Sequence, residues 1–322
     1  MTTLITGGTG FVGIHIMRQL AEQGESVISI STSGALDDLA RRFLGDTAQR
    51  ISCVKADVLD LEKLKAVLRE FAVGTVIHGA AITAIGDLER EVPYQAVMVN
   101  VGGTATMLEA SRWEGVQRFL YLSSATIYGS GDPKIPLHED TLLNPSGIYS
   151  ITKRAAEQIV CRYFDIFKIE GAILRISTPY GPMEKTSGRR ELMSPIYGWA
   201  RAAIAGEEVT LEGDLQRDFT YVADTARGVV LAWQSRCLPH RVYNISSGCN
   251  SSFSEALKTL KRLRPGFRVR RNEASEMAGF FRESLRGPLD IRRAREDFGF
   301  VPEYDLERGL KSYLDWLERF PV

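Results

Sequence analysis

TLITGGTGFVGIHI, residues 3–16, sets a β-branched run, a glycine-rich turn and the start of an apolar helical pattern end to end. Glycines at 7, 10 and 13 give the spacing G-x-x-G-x-x-G. Gly7 permits a tight turn after the strand. Gly10 lets backbone N–H groups approach a pyrophosphate, and Gly13 lets the helix pack closely on the strand. Phe11 and Val12 open that helix, whose N-terminus supplies partial positive charge to a phosphate. A strand before the glycines and a helix after them, in the first βαβ unit, mark a dinucleotide-binding loop.

The alternation begun there continues along the chain. Strand-like runs fall at 3–6, 26–30, 51–56, 75–80, 118–123 and 171–177, with helical patterns at 11–23, 35–44, 60–71, 94–112 and 149–168. Apolar strands alternating with helices predict a parallel sheet covered on both faces. The rhythm changes after about residue 180, where a polar, basic stretch bracketed by prolines (182–195) leads into mixed pieces and a largely helical end. The expected fold is therefore α/β. It consists of a Rossmann-type, doubly wound parallel sheet over 1–177 and a smaller mixed α/β substrate lobe over 178–322. The chain is expected to cross back around 218–248, and a ligand is expected between the lobes.

Composition narrows the partners. Forty basic side chains balance forty acidic ones, so no net field draws in nucleic acid or an anionic membrane. No apolar run approaches a membrane span, and the N-terminus has no signal-peptide pattern. Cys53, Cys161, Cys237 and Cys249 show no metal or disulfide spacing, and His15, His78, His138 and His240 show none either. The expectation is a cytoplasmic protein with reduced thiols and no metal site.

An acid about 20 residues beyond the glycines would hold the adenosine ribose diol of NAD. The second strand ends instead in Ser31 and Thr32, and no carboxylate follows until Asp37. That weakens the case for NAD without establishing NADP, because no Arg or Lys stands beside the serines; NAD is kept as the expected cofactor, with NADP possible. Asp57 and Val58, after the third strand, fit an adenine contact, whereas Asp60 is the better helix cap.

YSITK places Tyr149 and Lys153 one helical turn apart on a common face. A phenol has a reference pKa of about 10, and a nearby ammonium favours its phenolate. SSATIYG (123–129), at a strand end, offers Ser124 as a hydrogen-bond partner for the same substrate oxygen. Together these residues point to proton transfer at a hydroxyl or ketone during hydride transfer.

GGTGFVG, ADV (56–58), HGAA (78–81), VNVGGT (99–104), SSATIYG, YSITK, LRISTPYGP (174–182), RDFTYVAD (217–224) and VYNISSG (242–248) occur in one order. In this the chain resembles the extended short-chain dehydrogenases/reductases, the NAD-dependent epimerase/dehydratase group of the UDP-galactose 4-epimerase type. The resemblance implies a catalytic triad of Ser124, Tyr149 and Lys153. It implies cofactor contacts from the glycine loop, Ser31, Thr32, Asp57, Val58, His78, Gly79, Ala80, Ala81, Asn100, Ser123 and Ile176. Thr126, Ser177, Thr178 and Arg217 would face the substrate, with Arg217 on a diphosphate. A homodimer through the 94–112 and 149–168 helices is implied too.

The dehydratases of this group carry an Asp-Glu pair where this chain has Ala125 and Thr126, and neither residue can serve as the acid or base of an elimination. A nucleotide-sugar epimerase acting at C4 through a keto-sugar is the leading expectation. A reductase of a free sugar acid or small ketone, and a non-catalytic cofactor-binding regulator, stand as alternatives. The basic loop with Lys185, Arg189 and Arg190 could hold a phosphate or a uronate carboxylate, but an exposed, mobile loop is the expectation.

Overall fold

Seven parallel strands form the central sheet of the computed structural model, which describes residues 2–272 and 284–320. Six come from the first half: β1 (Thr2–Thr6), β2 (Val27–Ser31), β3 (Ile51–Lys55), β4 (Val73–His78), β5 (Arg118–Ser124) and β6 (Glu170–Ile176). The seventh, Val242–Ile245, returns from beyond the second lobe and pairs with β6. From that edge the order is Val242–Ile245, β6, β5, β4, β1, β2, β3. The order reverses between β4 and β1, and open α/β sheets bind ligands at such a switch point, beyond the carboxyl ends of the strands.

Register brings the motifs to that end. Thr6 pairs with His78 and Ser124 with Ile176, so the glycine loop, HGAA, SSATIYG and IST follow their strands at one edge of the sheet. Apolar residues of the buried strands alternate between two cores. Leu4, Ile28, Val76 and Phe119 pack under one helical layer, and Ile5, Val27, Ile77 and Leu120 under the other.

The single helix expected over 94–112 is three consecutive pieces: Pro93–Val97, a π-turn at Met98–Gly102 and Gly103–Trp113. The irregular turn carries Asn100, whose buried side chain bonds outside the helix. A Cβ on Gly103 would meet Val58 Cγ2 at 2.6 Å, so a glycine is needed where this helix crosses the third βα loop. π-turns inside helices recur at functional sites.

The second lobe packs the helices Pro195–Ala205, Phe253–Leu263 and Leu306–Arg319 around Tyr180, Phe253, Phe267 and Tyr313. The strands Glu208–Glu212 and Arg268–Asn272 pair at its side. The short strand Phe219–Tyr221 pairs with Thr178–Tyr180 outside the main sheet. Residues from the helix Val222–Gln234, the strand Val242–Ile245 and the helix Arg292–Phe298 share the core beneath the glycine-loop helix. Residue 177 is therefore not a clean boundary, because the chain returns to the first domain after the second lobe has begun.

Candidate active site

The glycine loop has the geometry its spacing predicts. Gly7 holds φ +70°, and a Cβ there would meet Ala80 N at 2.9 Å. A Cβ on Gly13 would meet Gly7 O at 2.2 Å. Gly10 N–H closes the turn on Gly7 O at 3.0 Å. The helix Phe11–Glu22 starts with no side-chain cap and no acid in its first turn, which leaves its first N–H groups for an anion. Gly7, Gly10, Phe11, Val12 and Gly13 all line a cleft of about 650 Å³ between the lobes.

Asp57 and Val58 line the same cleft, as do Ser31 and Thr32. Asp57 Oδ1 accepts from Leu59 N at 3.0 Å, and Asp60 caps the following helix through Lys63 N. Gly79, Ala80, Ala81, Ser123 and Ile176 form the floor near the sheet. Ser123 Oγ is buried and has no hydrogen-bond partner among the described residues. An orphaned hydroxyl, a cradle that a Cβ would fill and an uncapped helix N-terminus together fit a dinucleotide lying across the sheet edge.

His78 and Asn100 do not reach that cleft. Thr6 Oγ1 accepts from the N–H groups of Gly79 (3.1 Å) and Ala80 (3.0 Å), so its one proton goes to His78 Nδ1 at 2.8 Å. His78 Nε2–H then donates to Thr104 Oγ1 at 3.1 Å. Burial first, and the Lys153 charge second, pull this imidazole down to about 3, so it is neutral. Asn100 clasps the Ile82 backbone with Oδ1 (2.8 Å) and Nδ2 (3.0 Å), and Nδ2 also donates to Thr152 Oγ1 at 3.0 Å. Both residues, expected at the cofactor, lie behind the wall. They position HGAA and the YSITK helix, because motifs adjacent in sequence alternate between facing the ligand and facing the core.

Tyr149 and Lys153 project from the helix Ile148–Phe167 into the cleft opposite Ser124. Ser124 Oγ caps the short 3₁₀ turn Ala125–Tyr128, accepting from Thr126 N at 3.2 Å and Thr126 Oγ1 at 3.0 Å. Lys153 Nζ donates to Leu122 O at 2.6 Å and lies 4.6 Å from the Tyr121 ring centroid. Burial lowers its pKa to about 7, against the raising effect of Glu157. Burial raises the Tyr149 pKa, while the Ser124 hydroxyl, the Arg190 charge and the Thr83 hydroxyl pull it down. Thr83 and Arg190 were not assigned to the phenol from sequence. Thr83 sits in an ordinary loop, and Arg190 is about 40 residues further along.

The basic loop is a strap across the cleft. Thr83 N donates to Arg189 O at 2.8 Å, and Arg189 Nη2 donates to Thr32 Oγ1 at 3.2 Å. Lys185 is ion-paired with Asp37. Arg190 pairs with the buried Glu184 at 2.8 Å and lies 5.0 Å from the Phe11 ring centroid. Glu184 also accepts from Ser194 N and Oγ, which anchors the strap to the cap of the helix Pro195–Ala205. The expectation of an exposed loop outside the site thus gives way to a loop held against both lobes.

Thr126, Ser177 and Thr178, expected to face the substrate, line the cleft, but Arg217 does not. Arg217 is buried behind Arg286, and both donate to Ser284 O, at 2.8 and 3.0 Å. Arg286 itself lines the cleft. Burial lowers Arg217 to about 9, helped by the Arg286 charge, and burial lowers Arg286 to about 10. Arg286 lay in no motif, so only the fold brings it here. Among the described lining residues, Lys153, Lys185, Arg189, Arg190 and Arg286 carry positive charge and Asp57 alone carries a carboxylate.

A parallel sheet with a phosphate-binding glycine loop and a Tyr-Lys-Ser cluster at its switch point defines a nucleotide-dependent oxidoreductase-type enzyme. The chain belongs to the NAD dependent epimerase/dehydratase family, whose model matches residues 3–246. It is 26% identical to the UDP-glucuronate 4-epimerase of Thermodesulfobacterium geofontis, over 97% of this chain and 95% of that one. It is 27% identical to the UDP-glucose 4-epimerase of Mycolicibacterium smegmatis, over 98% of each. The crystal structure of UDP-glucose 4-epimerase from Thermus thermophilus in complex with NAD superposes with a TM-score of 0.83, at 26% identity over all of both chains.

Proposed function

We propose that the protein is an NAD-dependent nucleotide-sugar epimerase that inverts C4 through a keto-sugar. The observation that carries this reading is the reaction end of the cleft. Ser124 and Tyr149 meet there, while Ala125 is buried and Thr126 presents only a hydroxyl. Beside Tyr149 and Lys153, no described side chain at that end supplies the carboxyl pair that an elimination would use. The names of the relatives, UDP-glucose and UDP-glucuronate 4-epimerases, agree with it.

The residues present account for the proton chemistry. Tyr149 Oη, as phenolate, takes the proton of the C4 hydroxyl and later returns it. Ser124 Oγ donates to the same oxygen as it gains carbonyl character, and holds it in place. The nicotinamide dinucleotide supplies the hydride acceptor and donor. The glycine loop, Asp57 and Val58 would hold it, with Lys153 and Ser123 beside its reactive end. Arg286, backed by Arg217, takes the nucleotide diphosphate of the substrate, a dianion that offsets two crowded guanidinium charges.

The decisive experiment is to denature purified protein, identify the released dinucleotide, and follow UDP-sugars by NMR. Near-stoichiometric bound cofactor and interconversion of C4 epimers without net redox are expected. Steady consumption of reduced cofactor by a free ketone would replace the epimerase with a reductase.

We also infer self-association and a cytoplasmic location. Tyr94, Val97, Trp113, Ile151, Ile166 and Phe167 are exposed on the helices expected to meet across a two-fold axis. Pairing would cover them, and sedimentation should give twice the chain mass. The four cysteines are free thiols, which suits a reducing compartment. No described helix is long and apolar enough to cross a membrane.

A further inference from the structure

The cleft ends beside the carboxyl terminus of β2, at Ser31, Thr32 and Ser33. The nearest acid after that strand, Asp37, is already engaged twice. Its Oδ1 accepts from Ala40 N at 2.7 Å to cap the helix Asp38–Leu44, and its Oδ2 is ion-paired with Lys185. Ser31 Oγ accepts from Gly34 N at 3.1 Å and meets Ser33 Oγ at 3.1 Å. Arg189 reaches over from the strap to Thr32 Oγ1 at 3.2 Å. Where a ribose diol would seek a carboxylate, the protein presents three hydroxyls, the Arg189 guanidinium and an Asp37–Lys185 ion pair.

We propose that this is a 2′-phosphate subsite. Arg189, with the hydroxyls of Thr32 and Ser33, receives the phosphate on the adenosine ribose, with the Lys185–Asp37 pair beside it, so that the protein binds NADP(H) alongside NAD(H). The proposal rests on the dinucleotide reading of the cleft given above. A ribose 2′-hydroxyl is best held by an acceptor, whereas a phosphate takes donors and positive charge. Arg189 already stands at hydrogen-bonding distance from Thr32, and a phosphate placed between them would exchange a neutral acceptor for a charged one. Arg189 comes from the second lobe, so the 2′-phosphate would join the strap to β2, a contact that NAD cannot make.

The test is calorimetric titration of the full chain, first freed of any dinucleotide that co-purifies with it, with NADP⁺, NAD⁺, 2′,5′-ADP and 5′-AMP. The expected result is NADP⁺ affinity within about tenfold of NAD⁺, and 2′,5′-ADP bound at least about tenfold more tightly than 5′-AMP, as one charge-assisted contact would give. Arg189→Ala should weaken NADP⁺ by about 10–100-fold and NAD⁺ by less than about threefold, the difference being that one contact. Ser31→Asp should reject NADP⁺ and keep NAD⁺. NADP⁺ bound more than about 100-fold more weakly than NAD⁺ by the unmodified protein would overturn the subsite alone, since that exceeds what one such contact is worth. So would equal losses of both dinucleotides in Arg189→Ala. Failure to bind either dinucleotide would overturn the cofactor reading as well.

Discussion

The two walls of the cleft are built differently. The sheet-side wall is made by short motifs that follow consecutive strands, and it is wired into the core. Glu157 and Arg175, almost fully buried, join the YSITK helix to β6 through two bonds of 3.0 and 2.9 Å. The opposite wall is a strap held by the half-exposed Lys185–Asp37 pair, one backbone bond from Thr83 N to Arg189 O and the buried Glu184. One wall is set by backbone geometry and by a buried ion pair. The other is assembled from residues far apart in sequence and is held by contacts that water can compete for.

That contrast can be broken at its strongest point first. Tyr149→Phe should lower kcat by about 10³-fold, the loss of a general acid–base group, while the dinucleotide stays bound. An unaltered rate in an NMR assay would remove Tyr149 from the mechanism. Arg175→Met should destabilise the protein by about 3–5 kcal/mol, because it strands the Glu157 carboxylate in the core. Urea unfolding measures this, and a loss below about 1 kcal/mol, the worth of a surface pair, would mean that the sheet-side wall is not wired as described.

Across the cleft the effects should be smaller and fall on binding. Arg286→Ala should raise KM for a UDP-sugar by about 10–100-fold with a lesser change in kcat, as expected for one charge-assisted contact. Steady-state kinetics would count against the assignment if kcat alone fell. Arg190→Gln should move the rising limb of the kcat–pH profile upward by about one unit. The sign follows from the working form. The phenolate is lost as pH falls, and removing a cation beside it raises its pKa, so a higher pH is needed for the same rate. A profile that stays in place would detach the strap from the chemistry. Lys185→Ala should change stability by less than about 1 kcal/mol, since the ion pair is open to solvent. A larger loss would make the two walls alike.

The same contrast explains what could be read in the sequence. The glycine loop, Asp57-Val58, SSATIYG and YSITK are local patterns tied to a strand end, and periodicity alone places strand ends in space. His78 and Asn100 belong to equally clear motifs, yet a side chain in a motif can point into the core as readily as into the cleft. Their neighbours Gly79 and Ile82 show how the role turns on a hydrogen bond that no spacing reveals. Arg286 was not legible at all, and the basic loop was visible as a cluster of charge but not as a strap. Their places depend on where the second lobe puts a loop, and that follows from tertiary packing. Arg217 was identified by its motif but stands one layer behind Arg286.

The strand Val242–Ile245 has a bearing on how the protein is made. Until it arrives, β6 is an unpaired edge of a largely apolar sheet, and such edges invite pairing with other chains. Roughly 65 residues separate the two strands. At about 5–20 residues per second the edge is open for roughly 3–13 s on the ribosome. A fragment ending at residue 177 would keep it open permanently. Such a fragment should aggregate where one ending after Ile245 need not, and the smallest heritable unit of this fold is therefore longer than the half of the chain that holds the cofactor loop.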